Sequence, residues 1–287
     1  MKIIVAGATG VVGRILLPKL VREGHQVAGL IQNAEKKRMI EHAGATAFTA
    51  NVFDRDAIRS ALKQFQPEVV IHQLTSLATR NFSDNTRIRM EGTRNLVDAA
   101  KEVGVKRIIA QSIAWAYEPG AGLATEEVPL HLAAAEPRKT TIEGIYALES
   151  SVAEIPEPII LRYGMFYGPG TWYAPGGYMA DQIRRRPLPA TEGVTSFLHV
   201  EDAAEAAVSA LNWPLGPVNI VDDEPVKGVE WLPIYAQAIG APEPEQISGG
   251  NDWERGASNE KARREYGWIP RYPTWRKGFA ELRARRD

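Results

Sequence analysis

Gly7, Gly10 and Gly13, directly after the apolar run Ile3-Ile4-Val5, are the residues whose spacing most clearly serves chemistry. They lead into an amphipathic stretch carrying Ile15, Leu16, Leu17, Leu20 and Val21. A strand that turns through glycines into a helix is a grip for the pyrophosphate of a dinucleotide. The first glycine permits the tight turn, the second lets backbone approach phosphate, and the third lets helix pack closely on strand. The free N–H groups and partial positive charge at the helix start then face the anion. The candidate cofactor contacts here are Gly7, Thr9, Gly10, Val11, Val12 and Gly13. The spacing is GxxGxxG, and its strand–turn–helix context gives it weight that glycines alone lack.

Cofactor choice is read at the end of the second strand. A carboxylate there holds the adenosine ribose hydroxyls and repels a 2′-phosphate. This chain has Leu30-Ile31-Gln32-Asn33, with no carboxylate before Glu35, and then Lys36, Lys37 and Arg38. Neutral Gln32 with Lys36 close by leads to the expectation of NADP, with NAD as the alternative. Asn51, followed by Val52, has an amide able to bond an adenine edge.

The elements that must position these residues alternate. Strand-like runs lie at Lys2–Val5, Gln26–Ile31, Ala45–Thr49, Glu68–Ile71, Arg107–Gln111 and Pro158–Arg162. Helical patterns fall between them at Val12–Arg22, Ala34–His42, Arg55–Gln64, Asn85–Val103 and Thr141–Ala153. Strands rich in β-branched residues, alternating with helices, imply an α/β fold with a doubly wound parallel Rossmann-type sheet. Later patterns are a helix at Glu201–Leu211, a strand near Val218–Val221, and helices near Val229–Ile239, Asn259–Tyr266 and Thr274–Arg285. The expected organisation is a dinucleotide-binding domain from residues 1–167 with 197–225. Residues 168–196 with 226–287 are expected to form a smaller C-terminal substrate lobe.

Composition narrows the function classes. A chain of 287 residues has room for a full α/β core and a lobe. Its net charge of −1 provides no field to recruit nucleic acid or an anionic membrane. The absence of cysteine excludes disulfides, thiolate nucleophiles and cysteine-ligated metals. His25, His42, His72, His131 and His199 show no ligand spacing, so no metal is expected. No apolar run reaches the roughly 20 residues of a membrane span, and the first residues enter a strand without a signal-peptide pattern. A cytoplasmic protein with a small-molecule substrate is the expectation.

Taken in order, several fragments resemble the extended short-chain dehydrogenase/reductases, the NAD-dependent epimerase/dehydratase family. They are Gly7-Ala-Thr-Gly10-Val-Val-Gly13, Asn51-Val52-Phe53-Asp54 and Gly92-Thr93-Arg94-Asn95-Leu96. Leu161-Arg162-Tyr163-Gly164, Tyr167-Gly168-Pro169-Gly170, His199-Val200-Glu201-Asp202-Ala203 and Tyr266-Gly267-Trp268-Ile269-Pro270 complete the series. The resemblance covers nearly the whole length. It implies an NAD(P)-dependent oxidoreductase or epimerase acting on a small carbonyl or hydroxyl compound. Family members line the nicotinamide ribose with the loop after strand four, here containing Leu74 and Thr75. They commonly pair through the fourth and fifth helices, which makes a homodimer an expectation.

The resemblance also places a tyrosine and, four residues later, a lysine under the nicotinamide. The lysine and cofactor lower the tyrosine pKa from about 10, so that its hydroxyl exchanges protons near neutrality. This chain has Tyr146, but Ser150 stands at the lysine position. The catalytic hydroxyl after strand five falls on Ile113 by counting, with Ser112 one residue early, and the asparagine of the fourth helix is Arg89. Two readings follow. In one, Tyr146 donates a proton with Ser112 as its partner, and reduction is favoured because donation demands less pKa depression than abstraction. In the other, hydride chemistry is lost and the chain is an NAD(P)-binding sensor or interaction protein.

Overall fold

The computed structural model describes residues 1–77, 82–186 and 188–284. Chain contacts divide it into two units. The first is Met1–Ser112, Leu132–Leu161 and Ala204–Pro217; the second is Ile113–His131, Arg162–Ala203 and the chain from Val218 on.

The first half alternates as expected: β1 (Lys2–Ala6), α1 (Gly13–Arg22), β2 (Gln26–Ile31), α2 (Lys37–His42), β3 (Thr46–Thr49), α3 (Arg55–Phe65) and β4 (Val69–His72). After these come α4 (Phe82–Arg87), a π-turn (Ile88–Gly92), α5 (Thr93–Glu102), β5 (Arg107–Ile113), α6 (Arg138–Val152) and β6 (Glu157–Tyr163). Beyond β6 lie β7 (Met165–Tyr167), α7 (Tyr178–Arg185), β8 (Val194–Thr195), β9 (Phe197–His199), α8 (Val200–Ser209) and β10 (Gly216–Ile220). The chain ends in β11 (Val226–Lys227), α9 (Gly228–Ile239), α10 (Glu260–Arg264) and α11 (Trp275–Ala284). The helix expected at Thr274–Arg285 is α11, with Arg285 outside the described residues. Ala78, in the loop after strand four, also lies outside them.

Seven strands share one sheet in the order β10-β6-β5-β4-β1-β2-β3. β1 pairs in parallel with β2 and β4, β2 with β3, and β4 with β5. Strand order therefore reverses between β1 and β4, and the carboxyl ends of strands at such a switch point form the crevice of an open α/β sheet. Both faces are covered, which is why β4 is buried at every residue and β1 at all but its first. The core of unit one sets Ile4, Val70 and Ile108 of the sheet against Leu62 of α3, Leu96 of α5 and Leu148 of α6.

One helix expected from the sequence is interrupted. The pattern at Asn85–Val103 resolves into α4, a π-turn and α5. Thr93 sends both its backbone N–H and its hydroxyl to the Ile88 carbonyl, closing a ring one residue wider than an α-turn. The same hydroxyl lies 2.8 Å from His72 Nε2 at the end of β4. His72 Nδ1 accepts the Leu74 amide, so Nε2 carries the proton and donates to Thr93. Burial lowers the His72 pKa to about 4 and keeps the ring neutral. This histidine fastens a helix to a strand.

Unit two closes around aromatic rings. Tyr167, Phe197, Trp231, Tyr235, Trp275 and Phe279 are all buried in one cluster. Their rings meet edge to face, as in Tyr167–Phe279 at 5.7 Å and Phe197–Trp231 at 5.2 Å. Tyr173 is buried among them. Gly278 of α11 packs on the face of Tyr167 so closely that a Cβ there would overlap Cε2 of the ring. Alanine would raise helix propensity by about 1 kcal/mol, but overpacking a buried ring costs about 1–3 kcal/mol. The overlap decides the sign. Gly278→Ala is expected to lower stability by about 1–2 kcal/mol, read as a lower urea midpoint at unchanged slope; an unchanged or higher midpoint would contradict this packing.

Candidate functional site

The glycine turn is built by close approach. Gly7 has φ +88°, a conformation that a side chain strains, and a Cβ on it would lie 3.0 Å from the Leu74 amide nitrogen, in the loop after β4. At Gly13 a Cβ would overlap the Gly7 carbonyl and sit 2.8 Å from Ala8 Cα. Gly10 differs: it is exposed, and a Cβ there would meet only the Gly7 carbonyl, at 3.2 Å. Its amide donates to that carbonyl at 3.0 Å. α1 has no side-chain cap, and the amides of Val11, Val12 and Gly13 donate to no protein group among the described residues. Exposed glycine and free amides together fit a dinucleotide pyrophosphate. Thr9 is half-buried beside them.

The parallel register aligns Ala6 with Leu30, so Gln32 stands at the same end of the sheet as Gly7. Gln32 is exposed. Asn33 accepts the Glu35 amide at 2.8 Å, and its own amide lies 3.3 Å from the Glu35 carboxylate, which turns the chain toward α2. Lys37 pairs with Glu41 at 3.6 Å. Lys36 and Arg38 are exposed and have no carboxylate partner among the described residues. Asn51 accepts the Phe53 amide through its side chain and is exposed, while Val52 is buried against Gly92. Leu74 is half-buried and Thr75 exposed.

Ser112 and Tyr146 occupy different surroundings. Ser112 is buried at the end of β5 and donates to Glu149 Oε1 of α6 at 2.6 Å. Tyr146, one turn earlier on α6, is 52% exposed, and Ser150 is exposed beside it. No hydrogen bond joins Tyr146 to Ser112 among the described residues. Arg89 of the π-turn is buried, with its stem against Gly144 of α6. Glu149 was not singled out from sequence; a carboxylate amid Ile145, Leu148 and Val152 was the signal available. His199, at the end of β9, accepts the Glu201 amide and stacks on Tyr272 at 3.7 Å, as a residue of a capping turn does. A cavity of about 10 Å³ between Trp115 and Trp253 in unit two has room for one water.

Among the described residues no helix is long and apolar enough to cross a membrane. A model of the NAD dependent epimerase/dehydratase family matches residues 3–220. The 3-diazoavenalumate denitrifying reductase of a Streptomyces species is 39% identical, over 97% of this chain and 99% of its own length. Among solved structures, the Bordetella bronchiseptica enzyme WbmG in complex with NAD and UDP superposes with a TM-score of 0.77 at 21% identity, covering 98% of this chain and 93% of that one. The Thermotoga maritima UDP-glucose 4-epimerase with UDP-glucose gives a TM-score of 0.76 at 19% identity, covering 100% of both chains. With the switch-point sheet and the glycine turn already in place, a family match over most of the length settles the assignment: the chain belongs to the NAD-dependent epimerase/dehydratase family.

Proposed function

We propose that this chain is a nicotinamide-dependent reductase of a small electrophilic carboxylate, with a diazo compound as the substrate class. The observation that carries the reading is 39% identity, end to end, with a denitrifying reductase whose named substrate is a diazo carboxylate. Held by its pyrophosphate at the Gly7–Gly13 turn, a reduced nicotinamide dinucleotide would supply hydride. What the protein must add then depends on the electrophile. A carbonyl that gains hydride becomes an alkoxide, and a side chain has to protonate it. A diazonium that gains hydride loses its charge and expels dinitrogen, leaving a C–H bond where the C–N bond was. No proton is drawn from the protein in that balance. Tyr146 without a lysine at position 150 is compatible with such chemistry, since no tyrosinate has to form.

A second reading is favoured by Tyr146 itself, which presents its ring to solvent on the same helix as Glu149. For a carbonyl substrate Tyr146 is the proton donor, and Ser112, held by Glu149, is its partner hydroxyl. NADPH is the proposed reductant in both readings. Supporting it are neutral Gln32 just after the second strand, and Lys36 and Arg38 beyond it, which have no carboxylate partner among the described residues. NAD is the alternative.

Three outcomes are expected. Gly10→Val puts a branched side chain where phosphate approaches backbone; the protein should keep its circular dichroism and melting curve while calorimetry finds dinucleotide affinity lowered at least tenfold. NADPH should bind at least tenfold more tightly than NADH at low salt, a gap of about 1.4 kcal/mol. That gap should narrow at high salt and close in the Lys36→Ala/Arg38→Ala double variant; equal affinities at low salt would count against NADP. Tyr146→Phe separates the readings, because it removes only the hydroxyl. On an arenediazonium substrate, turnover followed by dinitrogen release should stay within about threefold. On a carbonyl substrate it should fall about a hundred- to ten-thousandfold. A fall of that size with the diazo compound would overturn the first reading.

A further inference from the structure

Arg89 carries a charge for which the described residues provide no counter-ion. It is only 8% exposed, yet it makes no hydrogen bond or ion pair among the described residues. Burial draws its pKa down to about 10, which leaves it cationic at neutral pH. Two other guanidinium groups, those of Arg107 and Arg162, have partners. Arg107 bonds Glu157 and the carbonyls of Ala210, Leu211 and Trp213. Arg162 donates to the Tyr117 hydroxyl at 3.1 Å and lies 5.0 Å from the centre of that ring. Buried cations without an anion are costly and rarely kept unless something else uses them.

The setting of Arg89 is held by its neighbours. Its backbone belongs to the π-turn that Thr93 closes and His72 anchors to β4. π-turns inside helices recur at functional positions. Its stem lies along α6, where a Cβ on Gly144 would come within 3.5 Å of Arg89 Cδ. Tyr146 follows two residues later on that helix. The position four residues beyond Tyr146 has no cation, so the charge next to α6 comes from the neighbouring turn.

We infer that Arg89 is a binding residue for an anionic oxygen of the substrate, taking up a carboxylate or a comparable oxyanion through its guanidinium fork. Planar, two-pronged recognition of such a group is what a guanidinium does best. The inference rests on the reductase reading only in naming the substrate, and not the cofactor, as the source of the anion.

The test compares 4-hydroxybenzoate with 4-hydroxybenzamide as probes, titrated by calorimetry into the NADP⁺-loaded protein. The wild type should prefer the carboxylate at least tenfold, and Arg89→Met should erase the preference while NADP⁺ affinity stays within threefold. Arg89→Met without ligand should melt at or above the wild-type temperature, because a buried uncompensated charge has been removed. Arg89→Lys, which keeps the charge but loses the fork, should retain a reduced preference. No preference in the wild type, full preference in Arg89→Lys, or a parallel loss of NADP⁺ binding in Arg89→Met would overturn the inference. A markedly less stable Arg89→Met would do the same, by showing a structural role. Arg89-dependent carboxylate binding with no turnover of any diazo or carbonyl compound would leave the inference standing and remove the reductase reading.

Discussion

The Gly7 carbonyl is the point around which the glycine turn is organised. It accepts the Gly10 amide, and it occupies the space a side chain on Gly13 would need. Gly7 itself abuts the backbone of Gln73 and Leu74, immediately after β4. A single turn is thus clamped between β1, α1 and the strand on the far side of the switch point. α1 can reach this close only because no Cβ intervenes, and at its start the amides of Val11, Val12 and Gly13 have no partners among the described residues. A branched residue at position 7 or 13 would push the helix away before any question of ligand arose. Position 10 has the slack that the other two lack.

The second fixed element is α6. Ile142, Ile145, Leu148 and Val152 are buried, and Glu149 shares their side of the helix through its bond to Ser112. Tyr146 and Ser150 are one turn apart and exposed, and Tyr146, one turn from Ile142, flanks the buried side. The Ser112–Glu149 bond therefore does more than satisfy a buried acid. It locks the rotation of α6 relative to β5, and with it the direction in which Tyr146 is presented. An acid–hydroxyl pair at 2.6 Å inside the core is a stricter reference than apolar packing, which tolerates small rotations.

Much of this was legible in residue patterns, for a physical reason. Strands buried on both faces must be apolar throughout, so β1, β2 and β4 stood out at nearly their observed limits. The glycine turn was legible because its steric requirement admits few other residues. The π-turn was not, since it depends on Thr93 meeting His72 across 21 positions, and the interrupted segment keeps an apolar helical pattern. Glu149 was equally hidden, because a charged residue inside a helix ordinarily marks a solvated face. Arg89 was visible as an unexpected residue type, but its burial was not.

These features meet in the electrostatics of unit one. Its buried acid, Glu149, has a hydroxyl donor, whereas its buried base, Arg89, has no acceptor among the described residues. The desolvation of that guanidinium is met during folding, from packing on Gly144 and the tether through Thr93 and His72. An anion bound there would meet a cation largely removed from water, and so would gain more than from a mobile surface arginine. A lysine on the exposed face of α6 would serve a different end, by making Tyr146 a better acid and base. On the reading proposed above, a cation on the neighbouring turn in place of that helix would exchange proton-transfer power for oxyanion binding. For a substrate whose reduction expels dinitrogen, that exchange sacrifices nothing the reaction requires.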